Sequence, residues 1–403
     1  MSSVDIKERP AAQRRVPQPA LPPLRQEQAP QQTGRRREHR VDLLRGFALI
    51  TIFINHVPGN FLSNFTHTNF GFSDAAEIFV TLAGFAAAQA YFVLYERGEK
   101  ITATLKALHR AGLLYLAHIA STVGAIALLS AAHIFFSRPG YLKDTEEPLY
   151  LGITWIFNDP PRGYIGIATL GTQLGYFNVL PMYMVLLALL PVFMWITQRF
   201  GLKILLGASL LLWFLAGTFS IDMPKFPETG GWFFNPFSWQ LLFVGGFVLG
   251  VLWKRGWSIT LPPWLVWFST IFALLALVIV QTKSWDLLHP IPLVNVLWSF
   301  EKGWVPIPRL VHVCALGVLL FATPLWRWLD RVPTNSPLHV IGRNALPVFC
   351  WGSLGCMAAA VARNEFDTGP AGDFAVMAVM LAAVVALAYL YDWIKAKSRA
   401  KPS

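Results

Sequence analysis

The sequence predicts an all-α polytopic membrane protein: a bundle of about ten transmembrane helices with both termini cytoplasmic. Three observations carry that prediction. Apolar residues make up 55% of the chain and charged residues only 14%, where an ordinary soluble domain has about 25% charged. Apolar runs long enough to cross a bilayer recur along most of the length. The segments between them alternate in charge, every second one being basic.

A spanning helix needs about 20 mostly apolar residues. Candidate spans run over residues 43–60, 74–95, 111–136, 174–196, 202–219, 237–253, 264–281, 309–326, 336–361 and 372–393. With the N-terminus inside, the inner connections carry Arg97, Lys100, Lys106 and Arg110, then Arg199 and Lys203, then Lys254 and Arg255, then Arg327 and Arg331. The C-terminal end carries Lys395, Lys397, Arg399 and Lys401. The outer connections are neutral or acidic: 61–73 has no charge, 137–173 holds Asp144, Glu146, Glu147 and Asp159, and 362–373 holds Glu365, Asp367 and Asp373. Basic residues stay on the cytoplasmic side, and a span too many or too few would break this alternation. The net charge of +11 follows from topology and needs no nucleic-acid partner.

Residues 1–40 are rich in Pro, Gln and Arg, with almost no large apolar side chains. Such a segment cannot bury enough surface to fold. It is expected to be a disordered basic cytoplasmic tail resting on anionic membrane lipid. No small-residue cleavage site follows it, which argues against an export signal. The transmembrane domain is expected over 41–395, with a second basic tail over 396–403. Cys314, Cys350 and Cys356 lie in apolar runs without metal-ligand spacing, so neither a disulfide framework nor a metal site is expected. There is no HExxH, GxSxG or P-loop pattern, which removes the standard hydrolase and NTPase signatures.

The first span, "LLRGFALITIFINHVPGN", carries Arg45, Asn55 and His56. Arg45 and His56 are eleven residues apart, close to three turns, so they share one helix face roughly 16 Å apart along the axis. An arginine at mid-bilayer costs about 2.5–3.5 kcal/mol on insertion scales, and ionisable groups there default to function. The bland alternative is two polar residues satisfied by neighbouring helices. The second span opens "SDAAEIFVTLAG", placing Asp74, Glu77 and Thr81 on one face at the depth of His56. A carboxylate there would orient the imidazole, and Glu77 is the better candidate, because Asp74 also reads as an N-cap. Other outer span ends repeat the pattern: "YFNVLPMY" supplies Asn178 and Tyr183, and "FFNPFSWQLLF" supplies Asn235, Trp239 and Gln240. These are the candidate acceptor-binding residues, with capping and interfacial rings as the bland reading. At the inner end, "IGRNALPVF" places Arg343 and Asn344 beside Lys106 and Arg110, a basic rim suited to phosphates. The long outer loops are rich in rings, among them Tyr141, Tyr150, Trp155, Tyr164, Phe233, Trp285, Trp298 and Trp304. Aromatic faces with nearby acids suit a sugar. Together these features describe a group passed from a cytoplasmic, phosphate-bearing donor to an external acceptor.

The Arg45-x10-His56 spacing resembles the pattern of acyltransferase-3-type membrane acyltransferases. The stretches "DLLRGFALITIFINHVPGN", "SDAAEIFVTLAG", "YFNVLPMY", "NPFSWQLLF" and "IGRNALPVF" resemble more closely the OpgC family, which succinylates osmoregulated periplasmic glucans. The resemblance implies a bacterial inner-membrane enzyme that takes acyl-CoA, succinyl-CoA in this branch, as its donor substrate and needs no resident cofactor. It implies His56 as general base or transient acyl carrier, and Arg45 in donor binding or structural support. Asn55, Asn235 and Gln240 are candidates to stabilise the oxyanion. Succinyl would want a cation near His56; Arg138, Arg162 and Arg363 lie near that side, yet none is an obvious partner for it. An O-acetyltransferase acting on another envelope polysaccharide is the alternative within enzymes. A transporter is the alternative outside them, and it predicts internal repeats and midplane polar groups. The sequence shows no clear repeat, and its polar residues gather at the two faces.

Overall fold

The computed structural model describes residues 38–143, 152–285, 296–366 and 369–399. In chain order the helices are α1 (His39–Asn55), α2 (Ala75–Ala87), α3 (Val93–Glu96), α4 (Lys100–Phe136), α5 (Ile153–Asn158), α6 (Pro160–Ala168), α7 (Val179–Phe200) and α8 (Leu202–Phe219). There follow α9 (Pro236–Lys254), α10 (Pro263–Thr282), α11 (Ile307–Ala322), α12 (Leu325–Leu329), α13 (Pro337–Arg343), α14 (Ala345–Phe366) and α15 (Gly369–Arg399). Among the described residues there is no strand beyond one isolated bridge, Pro224 to Gly231. The all-α architecture is as the sequence predicts, for a simple reason. Hydrocarbon offers no partner for backbone N–H and C=O groups, so a chain this apolar satisfies them within helices.

Among the described residues, eight helices are long and apolar enough to cross a membrane. Two expected spans are shorter. The first closes at Asn55 after 17 residues, with His56 as its C-cap, and the eighth is the 16-residue α11. The expected connection 96–110 is mostly helix: α4 begins at Lys100 and runs 37 residues, about 55 Å at 1.5 Å per residue, so Lys106 and Arg110 ride on its N-terminal part. The expected span 336–361 is broken at Asn344 into α13 and α14. α2 passes through a wider π turn over Ala88–Phe92 before α3. Most of the basic tail 1–40, the extreme C-terminus 400–403, and Tyr150 with Asp144, Glu146 and Glu147 lie outside the described residues.

Close packing is set by glycines. A Cβ at Gly84 of α2 would overlap the Phe243 carbonyl of α9, and one at Gly246 of α9 would overlap the Thr81 carbonyl of α2. Gly46 of α1 and Gly342 of α13 meet the opposite backbones at Leu338 and Asp42 in the same way. Small residues let backbones approach where lipid supplies no hydrophobic driving force. α9 is the central helix, 67% buried over its apolar window, with Trp239, Phe243 and Phe247 at its heart. α10 and α15 are peripheral, at 17% each.

Candidate functional site

The turn that closes α1 places the histidine. Asn60 Nδ2 donates to the carbonyls of Ile54 (2.8 Å) and Val57 (2.5 Å), satisfying acceptors that a helix end leaves open. Gly59, at φ 67°, reverses the chain. Arg363 of α14 donates to the carbonyls of Pro58 and Gly59 and forms a two-pronged pair with Asp373 of α15 at 2.5 and 2.9 Å. The turn that follows α1 is thus fastened to the α14–α15 hairpin.

His56 stands in the wall of a cavity of about 330 Å³, lined also by Asn55, Asp74, Gln173, Tyr176, Asn178, Lys225, Glu228, Phe234 and Lys302. Its ring stacks on Tyr176, with centroids 3.8 Å apart and planes 8° from parallel. Its Nδ1 is buried and has no hydrogen-bond partner among the described residues.

The acids of α2 are placed by the helix start. Asp74 accepts from the Ala76 N–H at 2.7 Å, and Glu77 accepts from the Asp74 N–H at 3.0 Å, a capping box. Asp74 lines the cavity and meets Lys302 Nζ at 2.5 Å and Arg309 Nη2 at 3.5 Å. Glu77 is fully buried and holds Arg309 of α11 at 2.7 Å from Nε and 2.5 Å from Nη2. Glu77 is therefore committed to the cap and to Arg309, and the expected partnership with His56 is not made. Burial explains why: a carboxylate at zero exposure needs a full cation, and Arg309 is nearer to hand than an imidazole.

Of the six expected acceptor-binding residues, Asn55 and Asn178 line the cavity. The Asn55 amide lies between Thr66 and Thr68, bonding each hydroxyl at 2.6 Å. The others are corrected. Asn235 caps α9 and donates to the Ile221 carbonyl. Gln240 is buried against Ser209, accepting from its hydroxyl and donating to its carbonyl. Trp239 is fully buried, its indole N–H donating to the Lys302 carbonyl at 3.1 Å. Tyr183 lies deeper, in a second, small cavity of about 20 Å³ that it lines with Arg45, Phe79 and Arg110. Val179 and Phe349 wall both cavities.

At the inner end the expected donor-binding set divides. Arg110 joins Arg45, whose guanidinium lies 5.7 Å from the Phe79 ring centroid. Lys106 is exposed on α4 and lines neither cavity. Arg343 is held by Asp392 through two bonds of 2.7 Å. Asn344 is buried at the α13–α14 break, bonded to the Val340 and Ala388 carbonyls and to Lys395. Both are structural ties between α13, α14 and α15 and not an open phosphate rim.

The sequence reading missed Tyr176, Lys302, Arg309 and the Lys225–Glu228 pair, 3.2 Å apart. Arg309 carried a usable signal, a lone arginine at the mouth of an apolar run, like Arg45. Next to the cavity, the outer loop 220–235 folds tightly: the Trp232 N–H bonds the Met223 carbonyl and the Asp222 carboxylate accepts from the Met223 N–H. Burial pushes the Asp222 carboxyl from 3.8 up to about 6, against the opposing pull of the Met223 and Trp232 N–H groups and Lys225. Among the described residues no cluster of His, Cys, Asp and Glu is grouped to hold a metal ion.

The arrangement offers a buried imidazole, a cavity of about 330 Å³ lined by both signs of charge, and two arginines at a neighbouring small cavity. No curated protein and no solved structure matches the chain. The family model described as OpgC protein matches residues 37–396, nearly the whole chain, and the protein therefore belongs to the OpgC family of membrane proteins, whose activity is an acyltransferase-type modification of glucans.

Proposed function

We propose that the protein moves an acyl group, succinyl, from cytoplasmic acyl-CoA to a hydroxyl of a periplasmic glucan across the bacterial inner membrane. One observation carries the reading: His56 forms the wall of a cavity large enough for a sugar unit, held flat against Tyr176 at the end of the helix that also bears Arg45. The donor reaches the cavity from the Arg45 and Arg110 side, its thioester directed toward His56. The acceptor hydroxyl enters from the outer loops.

In this scheme His56 removes the hydroxyl proton as the oxygen attacks the thioester carbonyl. The tetrahedral intermediate collapses, the C–S bond breaks, and the imidazolium returns its proton to the departing CoA thiolate. Asn55, which lines the same cavity, offers an amide N–H to steady the oxyanion. Succinyl, with a free carboxylate, suits a cavity that contains Lys225 and Lys302. The arginines considered from sequence are otherwise engaged: Arg138 with Glu365, Arg162 with Asp159, and Arg363 with Asp373.

The test is a gene deletion followed by mass spectrometry of extracted periplasmic glucans, complemented by wild type or His56→Ala. Loss of a succinyl increment, restored by wild type and not by the variant, is expected. An unchanged glucan profile refutes the substrate, and full rescue by His56→Ala refutes the base. A covalent adduct trapped on His56 with donor alone would replace the general-base scheme by an acyl-imidazole relay. A tag after residue 60 that reports from the cytosol would put donor and acceptor on the wrong sides and refute the topology.

A further inference from the structure

Besides the Lys225–Glu228 pair, four charged groups around the cavity form a second set with one spare contact. Lys302 and Arg309 face Asp74 and Glu77, two cations for two carboxylates. Glu77 is satisfied by Arg309 through two nitrogens. Asp74 meets Lys302 at 2.5 Å, accepts from the Ala76 N–H at 2.7 Å and has Arg309 Nη2 at ion-pair distance, 3.5 Å. Removing Lys302 from Asp74 therefore leaves that carboxylate with a guanidinium and an amide, whereas removing Arg309 would strand the fully buried Glu77. Of the four groups, Lys302 is the one that can leave its partner without exposing a bare buried charge.

Its backbone and side chain are fitted for that. The segment carrying Lys302 is fastened by two indoles, Trp239 donating to the Lys302 carbonyl and Trp213 to the Val305 carbonyl at 3.0 Å. The side chain is 26% exposed, where Arg309 is 11%, and its ammonium lies 5.3 Å from the Phe234 ring centroid. Both Lys302 and Phe234 line the cavity that holds His56. The result is a fixed stem with a flexible, compact cation at its tip, whose charge suits a single anionic group.

We propose that Lys302 is an exchangeable cation: it pairs with Asp74 and, when the acyl group binds, swings to the distal carboxylate of that group, while Arg309 takes over Asp74. This rests on the acyl-transfer reading above and assigns to one residue the choice between anionic and neutral acyl groups. The exchange moves the ion pair without creating or destroying charge, so the anionic acyl group enters a low-dielectric site at the cost of breaking one contact that has a substitute.

The experiment uses the purified full chain in detergent with a glucan oligosaccharide acceptor. CoA thiol release is followed for succinyl-CoA and for butyryl-CoA, which has the same chain length without the charge. Binding of both donors is measured alongside. Loss of a charge-assisted contact predicts that Lys302→Met lowers the succinyl-over-butyryl ratio of kcat/KM by about ten- to a hundredfold, mostly through KM and donor affinity. Lys302→Arg should restore most of the ratio. Asp74→Asn keeps the N-cap, since Asn and Asp cap alike, and removes the competitor for Lys302; the ratio should hold or rise. A ratio unchanged in Lys302→Met overturns the assignment, and a ratio that falls equally in Asp74→Asn overturns the exchange by showing that the pair acts as one fixed unit. Wild-type protein that releases thiol from neither donor refutes acyl transfer itself, a failure separate from either of these.

Discussion

Arg309→Met should destabilise the protein more than any other single charge removal around the cavity. The reason is the carboxylate it leaves behind. Glu77 has zero exposure, and its two oxygens meet Arg309 and the Asp74 N–H. Breaking a buried pair by removing one partner costs about 3–5 kcal/mol, whereas replacing both by apolar groups of similar volume is often neutral. Arg309 is itself 11% exposed and Lys302 stays paired with the neighbouring Asp74, so the lower end, about 3 kcal/mol, applies. Arg309→Met with Glu77→Met should then recover most of the loss, less about 1 kcal/mol for the reciprocal half of the capping box. The assay is unfolding by SDS titration for wild type, both single variants and the double variant, read as a double-mutant cycle. A cost below about 1 kcal/mol for Arg309→Met, a value typical of exposed pairs, would refute the claim that Glu77 is desolvated. So would strictly additive single effects, because they would mean that the two residues do not sense each other.

Tyr176→Leu should lower kcat by about two- to twelvefold, the value of one stacked aromatic contact, while Tyr176→Phe should leave it near wild type; equal loss in both would shift the role from the ring to the hydroxyl. Asp222 has a folded pKa raised to about 6 from 3.8, so protonation favours the folded loop: that contribution is complete below pH 3.8 and is lost as pH rises through 6. Hydrogen exchange in residues 222–232 should therefore accelerate between pH 5 and pH 7 beyond the intrinsic rate, and Asp222→Asn should abolish the excess. Gly84→Leu should prevent accumulation of folded protein, since even modest overpacking costs about 1–3 kcal/mol and here the obstruction is the Phe243 backbone; normal yield and unchanged Tm would show that α2 and α9 are not in backbone contact.

The sequence by itself determined what the bilayer enforces locally. Hydrocarbon selects runs of apolar residues, and each run is read without knowing its neighbours, so the all-helical class and most spans were legible, as was the capping role of Asp74. The distance from Arg45 to His56 along one helix was legible for the same reason, because 3.6-residue periodicity is local. Where the reading slipped, it slipped on contacts between distant segments. Glu77 and Arg309 are 232 residues apart in the chain, and no periodicity within α2 could announce that its acid would be claimed by α11 before the imidazole could use it. Asn235, Gln240 and Arg343 looked like site residues because polar groups at span ends are either functional or structural. Only packing decided which, by supplying Ile221, Ser209 and Asp392 as partners. Lys302 was hidden for the converse reason: in a charge-balanced loop it is unremarkable, and it becomes the cavity's movable cation only when tertiary folding sets it over an aspartate that already has the Arg309 guanidinium beside it.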